Sequence, residues 1–553
     1  MPSATEAPLV FAAVAGGAIA DRTVFRDHFN GKIDSPRIIA RALSDVESIA
    51  AIDLRVARLD PDCVGAWDFS VAMSSQVAHD GSPHRLHGRI VNFPARAMVG
   101  WNWDGENADW KQSPGQWGAI HFHDDDLYDA GWDTDFALKI LPAMRSGIYA
   151  ARLRSGEDEE YIWFAVGPAP GEQRPIALLL PTASYMAYAN DHLGTDGVGA
   201  ELLNNIVSVL SCHDLFLNEH WEYGGSLYDV HSDGSGICYS SRLRPMVNMR
   251  PKRENLLGGF GQSRLWQFAA DTHITDWLEA MSYDYDVITD EELHDRGYAL
   301  LADYRVVVTG THPEYYSTEM WEAVRSYRDR GGRLMYLGGD GFYWRIAYHP
   351  DVPGMIELRR AESGVRAWAA MPGEYYHSFD GRQGGLWARQ GRTPHSLIGV
   401  GFAAQGFDIS SYYIRLADSG EPGAEFVFEG VDWDERIGDF GLIGGGAAGL
   451  ELDRSDPELG TPPNAYILAR SASHTDTYLL VPEEFLETTP GLGGHENAKV
   501  HADMVLFTTQ HGGAVFSVGS IAWAGSLAHD AYRNNVSRIT QNVLRRFLDE
   551  RRF

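Results

Sequence analysis

The pattern of apolar and polar positions divides the chain into two parts of different texture. Up to about residue 168, short alternating apolar runs are separated by clusters of Gly, Pro and Asp, a pattern that is typical of strands and loops. A proline-rich segment at 168–175 follows and is the best candidate for a linker. We therefore predict a β-rich, sandwich-like region over residues 1–168 and a second domain over residues 169–553.

The second part alternates continuously apolar runs with amphipathic ones. The runs 176–180 and 304–309 are apolar almost throughout, as expected for strands that are buried on both faces of a sheet. Helix-like segments lie between such runs, and one of them is predicted to begin at Ser317. This alternation predicts a doubly wound parallel sheet. A β-rich texture returns at about 345–500 and predicts an insertion, and an amphipathic run at about 530–552 predicts a closing helix.

Composition excludes several classes of partner. The 553 residues include 46 Lys+Arg and 76 Asp+Glu, and the net charge is −30. Nucleic acids and anionic membranes both require a basic patch, so neither is expected as a partner. The three cysteines are far apart and form no CxxC pair, which favours a reducing cytoplasm. The apolar run at 8–20 is too short for a membrane span and lacks the basic flank of a signal peptide.

Two short motifs have simpler interpretations than cofactor or metal binding. The run Gly444-x-Gly446-x-x-Gly449 matches the dinucleotide fingerprint, but no helix follows it to receive a pyrophosphate. We interpret these glycines as a turn that packs closely on a neighbouring segment. His121 and His123 precede three aspartates and carry metal-ligand chemistry, but such acids are more often a turn that binds backbone amides.

Polar side chains follow three of the predicted strands, at 176–180, 304–309 and 333–337, at the points where the strands end. These side chains are Tyr185 and Tyr188, His312 and Glu314, and Asp340. Because ligands bind outside the carboxyl ends of the strands in doubly wound sheets, we expect these side chains to share one site. The stretch 211–265, which carries Tyr228, has few periodic signals, and a long loop of this kind is commonly functional.

Five longer sequence runs resemble motifs of a known protein family and occur in the same order as in that family. They are Ala187-Tyr-Ala-Asn190, Tyr228-Asp-Val-His-Ser-Asp-Gly234, His312-Pro-Glu-Tyr315, Gly338-Gly-Asp-Gly-Phe-Tyr-Trp-Arg345 and Gly444-Gly-Gly-Ala-Ala-Gly-Leu-Glu-Leu-Asp453. In these runs the chain resembles the large, catalytic subunit of N,N-dimethylformamidase, and the likeness extends from about residue 29 to the C-terminus. The resemblance implies a core similar to glutamine amidotransferases, without their nucleophilic cysteine. It also implies a small accessory subunit and homo-oligomerisation.

The resemblance further implies a mononuclear non-haem iron held by Tyr188, Tyr228 and Glu314, and the charge of these ligands favours the ferric state. Tyr185 remains an alternative for the first ligand, since it lies three residues away in the same loop. Two phenolates and one carboxylate total −3, which neutralises a trivalent ion and leaves coordination positions open. Zinc would favour His and Cys, and magnesium rarely recruits tyrosine.

Three catalytic roles follow from the same resemblance. His312 matches the family's active-site histidine, Glu314 holds the metal beside it, and Asp340 positions the substrate. The family motif usually has asparagine where this chain has Asp340, and an amide donates a hydrogen bond whereas an ionised carboxylate only accepts one. We therefore expect the substrate preference or the protonation state of the site to differ. Phe342 and Trp344 are predicted to hold N-alkyl groups of the substrate.

The implied activity is hydrolysis of a small N-substituted formamide, such as N,N-dimethylformamide, to formate and an amine. Two alternatives remain open from the residues. The 16 tryptophans and abundant acids are compatible with a carbohydrate-binding protein or a glycoside hydrolase. The second alternative is that the chain is a non-catalytic subunit of a larger hydrolase. Family members commonly carry a preceding lectin-like sandwich, and the sequence leaves open whether another chain supplies it.

Overall fold

The computed structural model describes residues 8–19, 22–195, 201, 209–259, 263–361, 367–484 and 490–553. Their strands form six sheets, of which the largest has ten strands and mixes parallel and antiparallel pairs. The fold is therefore mixed α/β. Within the described ranges, no helix combines the length and apolarity that are needed to cross a membrane.

The first part of the chain is rich in strands, as its texture predicts. Its strands are β1 Val14–Ile19, β2 Arg22–Arg26, β3 Gly31–Asp34, β4 Arg37–Ile39, β5 Cys63–Asp68, β6 Val77–Asp80, β7 Gly88–Arg89, β8 Ala95–Met98, β9 Ala119–Phe122, β10 Gly147–Ser155 and β11 Asp158–Val166. They form four small antiparallel sheets, in the orders β1-β2, β3-β9-β8, β4-β5-β6-β7 and β10-β11. Two short helices, α1 Asp45–Ala50 and α2 Leu54–Ala57, interrupt them. The division into domains stays a prediction.

The second part contains the remaining strands. They are β12 Ile176–Leu180, β13 Tyr239–Ser241, β14 Tyr285–Thr289, β15 Val306–Thr309, β16 Tyr315–Tyr316, β17 Arg333–Tyr336, β18 Trp344–Tyr348, β19 Met355–Leu358, β20 Gly401–Arg415, β21 Ala448–Arg454, β22 Tyr466–Ala472, β23 Leu479–Leu480, β24 Asp503–Thr508 and β25 Ala514–Ser517. The large sheet has the order β14-β12-β15-β17-β25-β24-β22-β20-β21, with β23 paired to β20. Its first five strands are parallel, as predicted.

The helices of the second part lie between these strands. They are α3 Thr182–Ala187, α4 Cys212–Glu219, α5 Phe268–Ala280, α6 Asp290–Arg296, α7 Tyr298–Leu301, α8 Thr318–Asp329, α9 Pro394–Ile398 and α10 Asn535–Leu548. Short 3-10 turns occur at Pro114–Gln116, Trp221–Tyr223, Leu256–Gly258, Ala388–Gln390, Ala417–Gly420, Glu425–Phe428, Pro482–Glu484, Gln510–Gly512 and Ile521–Ser526. Ser317 caps α8, as predicted, and its hydroxyl accepts a hydrogen bond from Met320 N.

The closing helix begins later than predicted. It starts at Asn535 because Asn534 caps it, accepting a hydrogen bond from Ser537 N at 2.8 Å. The predicted start, Asp530, has a positive φ of 46°, and Ala531 and Tyr532 have the same left-handed backbone. A right-handed helix cannot pass through such residues.

Apolar contacts between parallel strands hold the centre of the large sheet. Leu178 of β12 lies opposite Val287 of β14 and Val308 of β15, and all three side chains are at most 2% exposed. Burying each such side chain contributes about 1.5–3 kcal/mol. The parallel arrangement brings the carboxyl ends of β12, β15 and β17 to one edge, where the predicted site residues follow.

The segment predicted as a β-rich insertion does not form a separate layer throughout. β20, β21, β22 and β23 extend the large sheet, whereas β18 and β19 join β13 and β16 in a four-stranded sheet. The hairpin of β24 and β25 explains the extension, because β25 pairs with β17 and leaves the other edge of β24 open to β22.

The glycine-rich run is a close-packed turn, as interpreted from the sequence. A Cβ atom on Gly446 would lie 2.3 Å from the carbonyl oxygen of Ser411, and one on Gly449 would lie 2.0 Å from Ser410 Oγ. No side chain fits at either distance. The run continues into strand β21 rather than into a helix.

Candidate metal centre

Three oxygen-bearing side chains from distant parts of the chain converge at the edge of the large sheet. The hydroxyl of Tyr188 lies 2.6 Å from that of Tyr228 and 2.9 Å from Glu314 Oε2. The Tyr228 hydroxyl lies 2.9 Å from Glu314 Oε1. Tyr188 and Glu314 are buried and Tyr228 is half-buried. The structure thus brings the three predicted ligands together.

Hydrogen bonds between strand ends position Tyr188 and Glu314. Tyr188 ends α3, and its backbone N–H donates to Ser184 O at 3.0 Å. Ser184 Oγ donates to His312 O at 2.7 Å and accepts from Glu314 N at 3.2 Å. One buried serine therefore ties the segment after β12 to the segment after β15.

The Tyr228 turn is attached to the same helix. Leu227 N donates to Ala187 O at 2.9 Å, and Tyr228 N donates to Ser226 Oγ at 3.1 Å. The side chain of Asp229 accepts from Ser226 N at 2.7 Å and closes the turn. The loop 211–265 thereby delivers one phenol to the strand ends, as its position in the sequence suggests.

His312 lies beside the oxygen triad and faces three carboxylates. Its Nε2 lies 2.9 Å from Glu451, 3.3 Å from Glu314 and 3.9 Å from Asp340. Its Nδ1 lies 2.8 Å from the amide nitrogen of Gln267. Because an amide carries both a donor and an acceptor, Gln267 can pair with this ring in either protonation state.

A small aromatic cavity opens onto the triad. Its volume is about 70 Å³, which is room for about five to seven water-sized groups at ~10–15 Å³ each. The lining residues are Tyr188, Leu193, Tyr228, Leu257, Trp266, Glu314, Asp340, Tyr343, Trp344, Phe402, Gln405, Phe407 and Glu451. The cavity therefore combines a carboxylate-rich floor with aromatic walls.

Comparison with known proteins decides the family. The family model described as N,N-dimethylformamidase beta subunit-like, C-terminal, matches residues 95–536. The N,N-dimethylformamidase beta subunit of Paracoccus aminophilus is 41% identical over 560 aligned residues, which cover 99% of this chain and 72% of that protein. That of an Alcaligenes species is 39% identical over 558 residues, with the same coverage. The chain belongs to the N,N-dimethylformamidase beta subunit family.

One solved structure also matches part of this chain. A ThuA-like protein from Bacteroides uniformis matches 51% of this chain and 84% of its own chain, at 12% identity and a TM-score of 0.27. At that TM-score the likeness carries no structural argument.

Tyr185, the alternative metal ligand, and Phe342, a predicted substrate contact, both lie outside the oxygen triad. The hydroxyl of Tyr185 donates to Asp271 instead, so Tyr188 is the tyrosine that meets Glu314. Phe342 packs against Tyr316 in the core, with ring centroids 4.3 Å apart, and is fully buried. Trp344 does line the cavity.

The backbone explains why Phe342 was misplaced. Asp340 and Phe342 both have positive φ, at 48° and 59°. This left-handed turn disrupts simple alternation, so that Asp340 and Tyr343 line the cavity while Phe342 points into the core. Non-glycine residues in this conformation are strained and cluster at functional sites.

Burial and the repulsion between neighbouring acidic groups favour the protonated forms of the site's tyrosines and of Asp340 when no cation is bound. Burial, with Glu314 next, raises the pKa of Tyr188 and of Tyr228 well above the ordinary value. Burial also raises the pKa of Asp340, and Glu314 and Glu451 add to the effect. Burial alone would lower the pKa of His312, but Glu451 and Glu314 raise it well above its usual value. A multivalent cation is the group that would replace these protons.

A second ligand set overlaps the first. Ligand atoms of His312, Glu314 and Asp340 lie within 4.8 Å of one another, and all three residues are buried. The site therefore offers either two phenols and a carboxylate, or a histidine and two carboxylates. The two sets share Glu314 and differ in whether His312 is free to move protons.

Two site residues were not predicted from the sequence. Glu451 lies in the glycine-rich run, which is one of the runs that carry the resemblance. A carboxylate on an otherwise apolar, buried strand was the signal that could have marked it as a site residue. Gln267 lies before α5 with φ 51° and ψ −126°, a conformation that nothing in its local sequence indicates. Both residues meet His312 only through tertiary contacts.

His121, in strand β9, and His123, just after it, form a separate cluster with His231. The rings of His121 and His123 are 4.2 Å apart, and those of His123 and His231 are stacked at 3.6 Å with an interplanar angle of 1°. His121 Nε2 pairs with Asp233 at 2.8 Å. Ligand atoms of His121, His123 and Asp233, and those of His123, Asp126 and His231, lie within 4.8 Å of one another, so each group could hold a metal ion. In the structure the two groups form a hydrogen-bonded junction.

The adjacent aspartates bind backbone amides, as the simpler interpretation held. Asp126 accepts from His123 N at 3.0 Å, and Asp125 accepts from Ser232 N at 3.0 Å. Asp125 also pairs with His231 Nδ1 at 2.6 Å. The junction thereby fastens the strand β9 to the loop that carries Tyr228.

This junction is expected to make the protein acid-sensitive. Burial, together with His123, lowers the pKa of His121 to about 4, whereas an unfolded histidine titrates near ~6.5. The folded state therefore binds fewer protons in between, and stability is lost as the pH falls from about 6.5 to about 4. The melting temperature of His121→Gln should fall less between pH 7 and pH 5 than that of the wild type. Equal falls would contradict the assignment.

Proposed function

We propose that this chain is a metal-dependent amidohydrolase that cleaves small N-substituted formamides, such as N,N-dimethylformamide, to formate and an amine. The observation that carries the proposal is the triad of Tyr188, Tyr228 and Glu314, whose oxygens lie 2.6–2.9 Å apart at a small aromatic cavity. The relatives at about 40% identity bear the name of that activity. A glutamine-amidotransferase-like core is proposed with it, and the 2-1-3-4-5 order of the parallel strands supports that.

The donor set fits ferric iron. Two phenolates and one carboxylate are hard anionic oxygen donors with a total charge of −3, and their hydroxyl and carboxylate oxygens converge from three directions. Phenols have ordinary pKa values near ~10, so two of them ionise together at neutral pH only beside a strongly charged cation. Iron held there would polarise the amide carbonyl and make water more acidic.

The proton transfers are assigned to His312 and Glu451. Glu451 lines the cavity and lies 2.9 Å from His312 Nε2, so the pair can accept one proton from the attacking water. The proton then passes to the amine nitrogen as the C–N bond breaks. Gln267 holds the other ring nitrogen, Nδ1, and so leaves Nε2 on the side of the carboxylates, where it has no hydrogen-bond partner among the described residues. Water contributes OH to the formyl carbon and H to the amine, so the reaction balances.

The cavity favours a small substrate with apolar N-substituents. N,N-dimethylformamide has five non-hydrogen atoms, which matches a cavity of about 70 Å³. Tyr343, Trp344 and Phe402 provide the apolar walls for two methyl groups. A hexose ring has twelve non-hydrogen atoms, so the size of the cavity favours the amide over the carbohydrate alternative.

An accessory subunit is proposed as a partner, because the relatives are named beta subunits. An exposed arm supports this proposal. Between Ala130, which donates to Leu243 O at 3.1 Å, and Arg145, which pairs with Glu279, five large apolar side chains are 47–70% exposed. They are Trp132, Phe136, Leu138, Ile140 and Leu141. Five large exposed apolar side chains within ten residues are more than scattered single ones, and large exposed apolar surface marks protein–protein interfaces.

The proposed function is tested on the purified protein, together with its accessory subunit if one copurifies. We expect about one iron per chain, a visible absorption band from phenolate bound to ferric iron, and formate release from N,N-dimethylformamide. A metal-free protein that is fully active, or an iron protein without visible absorption, would refute the proposed centre.

Asp340 provides a further test, since its variant restores the asparagine that is usual in the resembling family. Asp340 Oδ1 has no hydrogen-bond partner among the described residues, and the residue lines the cavity. Asp340→Asn should retain iron within twofold and lower KM for N,N-dimethylformamide by about 2–10-fold, because an amide always donates to a substrate carbonyl. Metal analysis and steady-state kinetics check both. Loss of iron would instead make Asp340 a ligand.

A further inference from the structure

A buried guanidinium lies directly against the ring of Tyr228. Arg360 follows β19 and is completely buried. Its guanidinium carbon lies 4.2 Å from the ring centroid of Tyr228 and 4.6 Å from that of Trp344. Both distances are within the range of cation–π attraction. The cation is therefore held between one proposed metal ligand and one wall of the cavity.

A hydrogen-bond relay connects the same guanidinium to the oxygen of Tyr228. Arg360 Nη2 donates to the hydroxyl of Tyr315 at 3.3 Å, and that hydroxyl donates to the hydroxyl of Tyr228 at 2.9 Å. Arg360 Nε donates to Leu227 O at 3.3 Å and so also holds the turn that carries Tyr228. Arg360 therefore contacts the ring face of Tyr228, its oxygen through Tyr315, and the preceding carbonyl, which also accepts from Trp368 Nε1 at 3.1 Å.

The two proposed tyrosine ligands therefore have different surroundings. Among the described residues, no arginine or lysine lies over the ring of Tyr188, whose neighbours are Tyr228, Trp266, His312 and Tyr315. A fixed positive charge over the ring face of a phenolate attracts electron density from the oxygen into the ring. In a buried site this attraction is weakly screened. Tyr228 should then donate less strongly to a metal than Tyr188 does.

We propose that Arg360 is a positioning residue of the metal centre, whose fixed charge and hydrogen-bond relay weaken the donation of Tyr228 and so strengthen the Lewis acidity of the bound ion. The inference rests on the proposed function, because it requires Tyr228 to be a ligand. It assigns to the arginine a role that packing alone would not produce.

The test is the energy of the phenolate-to-iron absorption band. Arg360→Met removes the charge but keeps an apolar stem, and Arg360→Lys keeps the charge as a matched control. Removing the cation raises the energy of the phenolate electrons, so the band of Arg360→Met should move to longer wavelength by about 10 nm or more. Arg360→Lys should move less than half as far. Iron content is measured for every sample.

Tyr315→Phe gives an independent measurement should Arg360→Met not fold. This variant cuts the relay and leaves the guanidinium in place, so its band should also move to longer wavelength, by a smaller amount. Iron lost from Arg360→Met but retained in Arg360→Lys would show that the cation positions Tyr228, and the band of Tyr315→Phe would then test its effect on donation. Iron lost from both, or bands of Arg360→Met and Tyr315→Phe that coincide with the wild type, would overturn the inference. A wild-type protein without iron or band would instead refute the proposed function.

Discussion

Tyr228→Phe is expected to reduce bound iron to less than about a tenth of the wild-type content and formamide hydrolysis by about 10³-fold or more. The substitution removes one of three oxygens that lie within 2.9 Å of each other and leaves the ring in place. The remaining phenol and carboxylate total −2, which no longer neutralises a trivalent ion in a buried site. Metal analysis, the visible spectrum and formate release measure the three consequences together.

Two other buried tyrosines are matched controls for that variant. The hydroxyl of Tyr316 has no hydrogen-bond partner among the described residues, so Tyr316→Phe should keep both iron and activity. Tyr185→Phe removes the hydroxyl that donates to Asp271, and it should also keep iron even if stability falls. A Tyr228→Phe protein with full iron, or a Tyr185→Phe protein without it, would show that the ligand set is different.

His312→Gln is expected to lower kcat by about 10³-fold, within the range of general acid–base catalysis, while iron stays within twofold of the wild type. Glutamine fits a similar volume and can still accept from Gln267, but it cannot carry a proton between water and the amine. The imidazole lies 2.9 Å from Glu451 and 3.3 Å from Glu314, so the loss should be confined to proton transfer. Iron analysis and single-turnover kinetics separate this loss from a loss of the metal.

The same variant distinguishes the two possible ligand sets. His312, Glu314 and Asp340 form a group that could also hold an ion. If that set were used, His312→Gln would lose iron and Tyr228→Phe would keep it, which is the reverse of the expected pattern. Glu451→Gln is the companion control, because it removes the charge beside His312 without touching either set. It should lower kcat by about 10–10²-fold with iron retained.

Strand periodicity predicted the part of the fold that carries the site. The apolar runs that become β12, β15 and β17 are buried on both faces, and parallel strands must end at one edge. This is why Tyr188 and Glu314, 126 positions apart, could be expected to meet. Hydrophobic pattern is sufficient here because burial on both faces leaves few other places for such strands.

The same reasoning failed where backbone conformation or strand pairing is set by distant residues. Phe342, which was predicted to hold N-alkyl groups, lies in the core beside left-handed φ at Asp340 and Phe342, and Tyr343 lines the cavity together with the predicted Trp344. The strands between about 400 and 480 joined the large sheet because β24 offers an open edge to β22. Neither outcome leaves a local signal, since each depends on a partner far along the chain.

By itself, the sequence determined the alternation of buried strands and helices and the resemblance to the family to which the chain belongs. The alternation follows from local hydrophobic patterning, whereas the candidate ligands Tyr188, Tyr228 and Glu314 follow from the resemblance. Only the tertiary structure decided that Tyr188 rather than Tyr185 meets Glu314, that Glu451 and Gln267 hold His312, and that Arg360 lies behind Tyr228. Those contacts join segments dozens to hundreds of residues apart, and their distances depend on how every intervening element packs.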